Sequence, residues 1–165
     1  MKRFITFALI SLSILASVKC QSNLPESTVN LSIGSGQPYG GVFGVKTLLG
    51  KNNSGLIVGL GKFPLNVTGF TIGGQLAINA MYFNLNYGTI KSTQLNDEPA
   101  EALNAFSFLV GGMFGLGSKK QFFIDAALGH SFGAGTTTLP GMTVSNDTFC
   151  FSLGLGYRFV KKSQD

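Results

Sequence analysis

The sequence predicts an all-β protein that forms an eight-stranded antiparallel up-and-down transmembrane β-barrel. Only 12% of its 165 residues are charged and 44% are hydrophobic, whereas about one quarter of a typical soluble domain is charged. After the amino-terminal segment, no run reaches the roughly 18 apolar residues that a helical span needs. A closed barrel is the other structure that satisfies its backbone hydrogen bonds in lipid. Large apolar residues instead alternate with small or polar ones, which is the period of a strand.

The first 20 residues have the features of a secretory signal peptide. Residues 1–3 carry two positive charges, and residues 4–16 form a short apolar centre. We expect cleavage after Cys20, followed by a polar periplasmic lead-in at residues 21–27. Such cleavage would leave Cys150 as the single cysteine, without an intramolecular disulfide.

An alternative is that Cys20 becomes a lipidated amino terminus. Lys19 stands where a lipoprotein signal has Gly, Ala or Ser. We therefore favour removal of Cys20 with the signal peptide.

After the lead-in, large apolar residues begin to alternate with small or polar ones, and this pattern predicts three strands. The first covers residues 28–33 and ends at the Gly- and Pro-containing residues 34–38. The second covers about 39–49, a tight turn follows at 51–54, and the third covers about 55–63. The large apolar residues predicted to face outward are Val29, Leu31, Ile33, Phe43, Val45, Leu49, Leu56, Val58 and Leu60.

Residues 68–91 are too long for one strand of about nine to eleven residues. We divide them at Asn79 and Ala80 into a fourth and a fifth strand. The outward residues are then Phe70, Ile72, Leu76, Met81, Phe83, Leu85 and Tyr87, and Gln75, Asn84 and Asn86 face inward. The polar residues 92–104 predict a longer loop, with a helical turn at 99–103.

The sixth strand is predicted at residues 105–116, a tight turn at 117–120 and the seventh strand at 121–130. Their outward residues are Phe106, Phe108, Val110, Phe114, Phe122, Ile124, Ala126 and Leu128. Residues 131–146 form a long loop before the closing strand at 149–159. Short and long connections thus alternate, as do the periplasmic turns and external loops of outer-membrane barrels.

The closing strand has a wholly apolar face and a small or polar face. The apolar face consists of Phe149, Phe151, Leu153, Leu155, Tyr157 and Phe159, and the other of Thr148, Cys150, Ser152, Gly154, Gly156 and Arg158. This distribution is typical of a wall between lipid and a narrow lumen. The strand resembles the carboxy-terminal assembly signal of bacterial outer-membrane barrels at Ser152, Gly154, Tyr157 and Phe159. Here a polar tail, residues 160–165, follows the last aromatic residue.

Together, residues 28–159 resemble the small outer-membrane β-barrel family of the OmpA/OmpX type. The resemblance implies a bacterial outer-membrane location, contact with outer-membrane lipid and insertion by the barrel-assembly machinery. A barrel of eight strands is filled by its own side chains, so we expect no open pore. Such barrels serve several functions, and we favour a non-enzymatic structural or surface-interaction role through the external loops, which would bind any extracellular ligand.

The alternation of faces places three charged residues in the lumen: Lys46, Asp125 and Arg158. An unpaired charge in a poorly hydrated lumen is costly. We therefore predict that Asp125 pairs with Arg158, with Lys46 nearby. We interpret this set as a structural network rather than a proton or ion relay.

The neighbouring His130 and Ser131 raise the alternative of a lipid A acyl hydrolase or acyltransferase at the barrel rim. Adjacent strand residues point to opposite faces, and no carboxylate accompanies them in sequence to orient the histidine. We therefore assign no catalytic residues.

Other binding functions are disfavoured by composition. Without the signal peptide, nine basic residues stand against seven acidic ones, and no basic stripe for nucleic acid remains. One histidine and one mature cysteine supply no credible metal site, so we assign no metal or cofactor. A third alternative, a secreted soluble β-barrel that binds an apolar ligand, would need its large residues to face inward.

Overall fold

The computed structural model describes residues 27–94, 100–133 and 148–160. Within these ranges the chain forms eight strands: β1 Ser27–Gly36, β2 Gly41–Lys51, β3 Ser54–Lys62, β4 Thr68–Ile78, β5 Met81–Thr93, β6 Glu101–Leu116, β7 Phe122–Phe132 and β8 Thr148–Val160. Each strand pairs antiparallel with the next, and β1 pairs with β8, so the sheet closes into an up-and-down barrel. The fold class predicted from sequence is confirmed as a closed eight-stranded β-barrel.

Two short 3-10 helices, Gln37–Tyr39 and Pro64–Asn66, connect β1 to β2 and β3 to β4. Neither they nor any other helical segment in the described ranges has the length and apolar character needed to cross a bilayer as a helix. The predicted signal peptide at residues 1–20, the choice between cleavage and lipidation at Cys20, and residues 161–165 of the polar tail lie outside the described residues.

The barrel has two different ends. The turn end carries the start of β1, the end of β8 and three tight connections, β2–β3, β4–β5 and β6–β7. The loop end carries the other four connections, which include residues 95–99 and 134–147 outside the described ranges. At the turn end, Asn52 and Asn53 have φ angles of 50° and 61°. These left-handed conformations are those of a two-residue hairpin turn, which asparagine adopts readily.

The predicted faces are confirmed throughout the described strands. The large residues predicted to face outward are exposed or half-buried, with Phe43 at 66% and Phe122 at 62% of full exposure. The polar residues predicted to face inward, Gln75, Asn84 and Asn86, are at most 4% exposed. The division of residues 68–91 is also confirmed, because the turn falls at residues 79–80.

Two local predictions are wrong. The helical turn predicted at residues 99–103 is wrong, because residues 101–103 belong to β6 and pair with the end of β5, with Thr93 opposite Glu101. Cross-strand hydrogen bonds there override a local helical preference. The second strand begins at Gly41 rather than near Tyr39, because Tyr39 belongs to the 3-10 helix that precedes the strand. Two strand bounds differ slightly from the predicted ones: β7 ends at Phe132, and β1 begins at Ser27.

Candidate functional site in the barrel lumen

The lumen contains a buried ion pair between Lys46 on β2 and Asp125 on β7. The Lys46 ammonium contacts Oδ2 of Asp125, and the two side chains are 1% and 0% exposed. Two tyrosine hydroxyls donate to the same carboxylate: Tyr39 to Oδ2 at 2.7 Å and Tyr82 to Oδ1. Asp125 thus accepts hydrogen bonds from three buried donors, which supply the stabilisation that a desolvated carboxylate requires.

The two tyrosine rings also enclose the lysine. Nζ of Lys46 lies 5.1 Å from the ring centroid of Tyr39 and 5.6 Å from that of Tyr82. At these distances the ring faces attract the ammonium group. The four side chains therefore form one compact polar cluster, which we call the lumen cluster: Tyr39, Lys46, Tyr82 and Asp125.

The sequence-based pairing of Asp125 with Arg158 is wrong. Asp125 lies opposite Gly154 on β8, so Arg158 is four residues farther along that strand, about 13 Å away. Arg158 instead donates from Nη1 to the carbonyl oxygen of Lys120 at 2.7 Å, and its guanidinium lies 4.8 Å from the ring centroid of Phe123. The inward orientation of Lys46, Asp125 and Arg158 is correct, but Lys46 is the partner of Asp125.

The β1–β2 connection folds into the lumen instead of projecting from the barrel. We call this segment, Gln37–Tyr39, the lumen plug. All three of its residues are buried, and it contacts β1, β2, β3, β4, β5 and β8. Gly36 and Gly40 flank it with φ angles of 110° and 70°, conformations that side-chain-bearing residues rarely adopt.

Hydrogen bonds hold the plug in place, and glycines in the barrel wall leave space for it. Oγ1 of Thr71 donates to the carbonyl oxygen of Gln37, and Nδ2 of Asn86 donates to the side-chain oxygen of Gln37 at 3.4 Å. Inward-facing glycines on four strands leave space for the plug, since a Cβ atom there would overlap with Pro38 or Tyr39. They are Gly34, Gly44, Gly59, Gly61 and Gly154. The plug was not predicted from the sequence, although glycines at inward positions on several strands indicate that something other than strand side chains fills the lumen.

Apolar side chains occupy the lumen toward the turn end. Leu48, Ile57 and Phe123, each at most 1% exposed, come from the turn-end parts of β2, β3 and β7 and belong to one buried cluster. Together with the plug and the lumen cluster they pack the interior as a protein core. The lumen chemistry is therefore that of a desolvated charge network within close-packed side chains.

The His130 and Ser131 side chains lie on opposite faces of β7. His130 is exposed on the outer face between its cross-strand partners Phe108 and Phe149. Ser131 is fully buried, and its hydroxyl bonds the backbone of Thr148 at 3.2–3.3 Å. This geometry places the His130 imidazole on the opposite face of the sheet from the Ser131 hydroxyl.

The residues of the predicted assembly signal divide between the two faces of β8. Ser152 and Gly154 face the lumen, and Gly154 lies against the Tyr39 ring. Tyr157 and Phe159 pack on the outer face with ring centroids 5.0 Å apart. Their role in assembly stays a prediction.

Aromatic ring contacts on the outer face include a group at each end of the barrel and a stacked pair between them, Phe83 and Phe108, with ring centroids 6.2 Å apart. At the loop end, rings on four successive strands make contacts at 5.0–6.3 Å: Phe70, Tyr87, Phe106 and Phe132. At the turn end, Tyr157 contacts Phe122 at 5.1 Å as well as Phe159. Between the groups, the exposed residues include Leu153 and Leu155, at 56% and 58%.

No protein-family model, curated protein or solved structure matches this chain. Within the described ranges, no cluster of three or more His, Cys, Asp or Glu side chains is positioned to bind a metal ion.

Proposed function

We propose that this protein is an integral outer-membrane β-barrel with a packed lumen, similar to the OmpA/OmpX type. In this proposal it has a non-enzymatic structural or surface-interaction role, which its loop-end connections perform. The observation that carries the proposal is the distribution of side chains over the barrel wall. Large apolar residues cover the outside, while the buried inward residues include Lys46, Asp125 and Arg158. A soluble barrel requires the reverse distribution.

The height of the apolar band supports a membrane location. Phe149 and Phe159 mark the two ends of the outer face of β8 and are separated by ten residues. This separation is about 34 Å along the strand and about 26 Å along the barrel axis at a tilt of about 40°. Outer-membrane barrels have an apolar band about 25 Å tall between aromatic girdles.

The exposed lysines also fit such a band. In the part of the chain that the structure describes, each exposed lysine lies in a turn or within three residues of a strand end: Lys51, Lys62, Lys91 and Lys119. Ammonium groups at these positions would reach the headgroup regions on either side of the bilayer.

Membrane fractionation tests the proposal directly. The full-length protein is expressed in a bacterium with an outer membrane, and the outer-membrane fraction is run on gels with and without boiling. Recovery there, with a folded band that shifts on boiling, supports the proposal. Recovery as a soluble periplasmic or secreted protein would refute it and would favour the apolar-ligand barrel.

A second measurement addresses the enzymatic alternative. The mass of lipid A is determined before and after expression of the protein and of the His130→Ala variant. We expect the same mass in all samples, because the His130 side chain faces away from the Ser131 hydroxyl. A change in mass that depends on His130 would overturn the non-enzymatic part of the proposal.

A further inference from the structure

Gly74, in the middle of β4, differs from the other glycines in the described part of the chain. Each of those either has a positive φ angle or lies so close to neighbouring atoms that an added Cβ would overlap with them. Gly74 has neither feature, and a Cβ built on it would meet no atom within 4 Å. No described atom of this chain therefore requires a glycine here, although glycine in a strand interior is destabilising.

This position lies on the outer face, near the middle of the apolar wall. Gly74 is exposed, and its cross-strand partners are Leu56 on β3 and Leu85 on β5. It is four residues from Phe70 in the loop-end aromatic group and four from Ile78, the last residue of β4. Each separation is about 13 Å along the strand.

The missing side chain leaves a shallow depression of about 310 Å³ in the outer wall. Gln75 and Asn84 border the depression while their side chains are buried in the lumen, so backbone atoms of β4 and β5 form its floor. The sides consist of apolar side chains from three strands: Leu76, Phe83, Leu85 and Phe108. The stacked rings of the last strand pair, β5 and β6, make one edge firm.

The chemistry of the depression matches a hydrocarbon chain. Its leucine and phenylalanine side chains carry no hydrogen-bonding atoms. The backbone at Gly74 belongs to the ladders with β3 and β5, so it is not available to pair with another polypeptide. The volume accommodates several methylene groups, each similar in size to a water molecule in the liquid, about 30 Å³. Glycine within a strand often marks the close approach of a ligand.

We propose that the depression at Gly74 binds one acyl chain of a phospholipid from the leaflet at the turn end. Leu76 and Phe83 form its side toward the turn end, two residues beyond Gly74 and Leu85. The depression therefore opens toward that leaflet, which is the periplasmic one in outer-membrane barrels. This inference rests on the proposed membrane location and deepens it by naming a lipid contact for which the wall is shaped.

Nuclear magnetic resonance of the refolded full-length protein in nanodiscs of dimyristoylphosphatidylcholine tests the site. We expect cross peaks between acyl-chain protons and the methyl groups of Leu85. They should be stronger than the corresponding cross peaks of Leu155, which is exposed on the apolar wall at β8. A chain held in the depression stays beside Leu85 longer than a chain that moves over the open wall.

Two variants show whether the depression causes this difference. Gly74→Leu should fold, because the space around its Cβ is open, and its side chain should fill the depression. We expect the extra cross-peak intensity at Leu85 to be lost. Ala102→Leu is the matched control, because it adds a leucine at an exposed position of β6 outside the depression. This control should keep the extra intensity.

The outcomes separate this inference from the membrane location. Extra intensity at Leu85 that Gly74→Leu removes and Ala102→Leu keeps supports the proposal. Equal intensities at Leu85 and Leu155, in protein that has inserted into the nanodiscs, overturn it and leave the membrane location intact. Cross peaks between Leu85 and a second copy, detected by mixing labelled and unlabelled protein, also overturn it. Recovery of the expressed protein only in the soluble fraction refutes the membrane location and this inference with it.

Discussion

Replacing Asp125 with alanine should be among the most destabilising single changes in the described strands. The substitution removes the one carboxylate that accepts hydrogen bonds from Lys46, Tyr39 and Tyr82. All four side chains are at most 1% exposed. Water therefore cannot replace the lost acceptor unless the barrel interior opens.

The magnitude follows from the groups left without a partner. A buried charge whose partner has been removed costs about 3–5 kcal/mol. Each buried hydroxyl without a partner adds about 1–3 kcal/mol. Because the donors share one acceptor, their costs do not simply add, and we expect a loss of about 5 kcal/mol or more in the free energy of unfolding.

Urea unfolding measures this loss. The chain has no tryptophan, so the folded fraction is followed by the migration of unboiled protein on gels and by far-ultraviolet circular dichroism. Asp125→Asn should have a smaller effect, because its amide oxygen still accepts one hydrogen bond. Combining Asp125→Asn with Lys46→Met should recover part of the loss, because the uncompensated charge is then removed.

Arg158→Met distinguishes the observed pairing from the one predicted by sequence. Arg158 lies over Phe123 and does not contact Asp125, so its replacement should destabilise the barrel less than Asp125→Ala. A change in stability of less than about 1 kcal/mol for Asp125→Ala would contradict the described lumen cluster. The lumen cluster would also be contradicted if Arg158→Met were as destabilising as Asp125→Ala while Lys46→Met had no effect.

Two further predictions concern the plug and the outer face. Gly154→Ala should lower the midpoint of urea unfolding, because the added Cβ would overlap with the Tyr39 ring. The control Gly74→Ala should leave this midpoint unchanged, because the space around its Cβ is open. Equal effects of the two substitutions would contradict the described plug. Leu155→Lys, on the outer face at 58% exposure, should lose about 2–4 kcal/mol of stability in a bilayer and reduce recovery of the heat-modifiable band, whereas Ser118→Lys in a turn should not. Normal membrane recovery of Leu155→Lys would argue against a lipid-facing wall.

The strand faces could be predicted from sequence because each depends on a local period of two residues. Phe149 to Phe159 on β8 show this alternation without interruption, and the structure places them as predicted. The lumen could not be predicted in the same detail. Which inward residues meet depends on the stagger of the strands around the closed barrel. The alternation of side chains between the two faces of a strand does not determine this stagger.

The wrong pairing predicted for Asp125 shows why the register is needed. β7 and β8 are neighbours, so Arg158 was the nearest cation in the order of strands. The register, however, moves it four residues away from the partner of Asp125. Lys46 reaches Asp125 across the lumen from β2, a contact between strands that are not hydrogen-bonded to each other. The plug was missed for a related reason, because Gly34 to Pro38 has the composition of an ordinary external loop.

The plug and its glycines explain how such a small barrel obtains a core. Glycines at inward positions weaken a strand, since they contribute no side chain to packing. Here Gly44 and Gly59 leave space for the plug backbone at Tyr39 and Pro38, and Gly154 leaves space for the Tyr39 side chain, so the β1–β2 connection fills volume that the strands leave empty. Tyr39 then completes the hydrogen bonding of Asp125, which joins the plug to the opposite wall. A connection used as core is not free to vary as a surface loop, so we expect a surface-interaction role to depend on the other three loop-end connections.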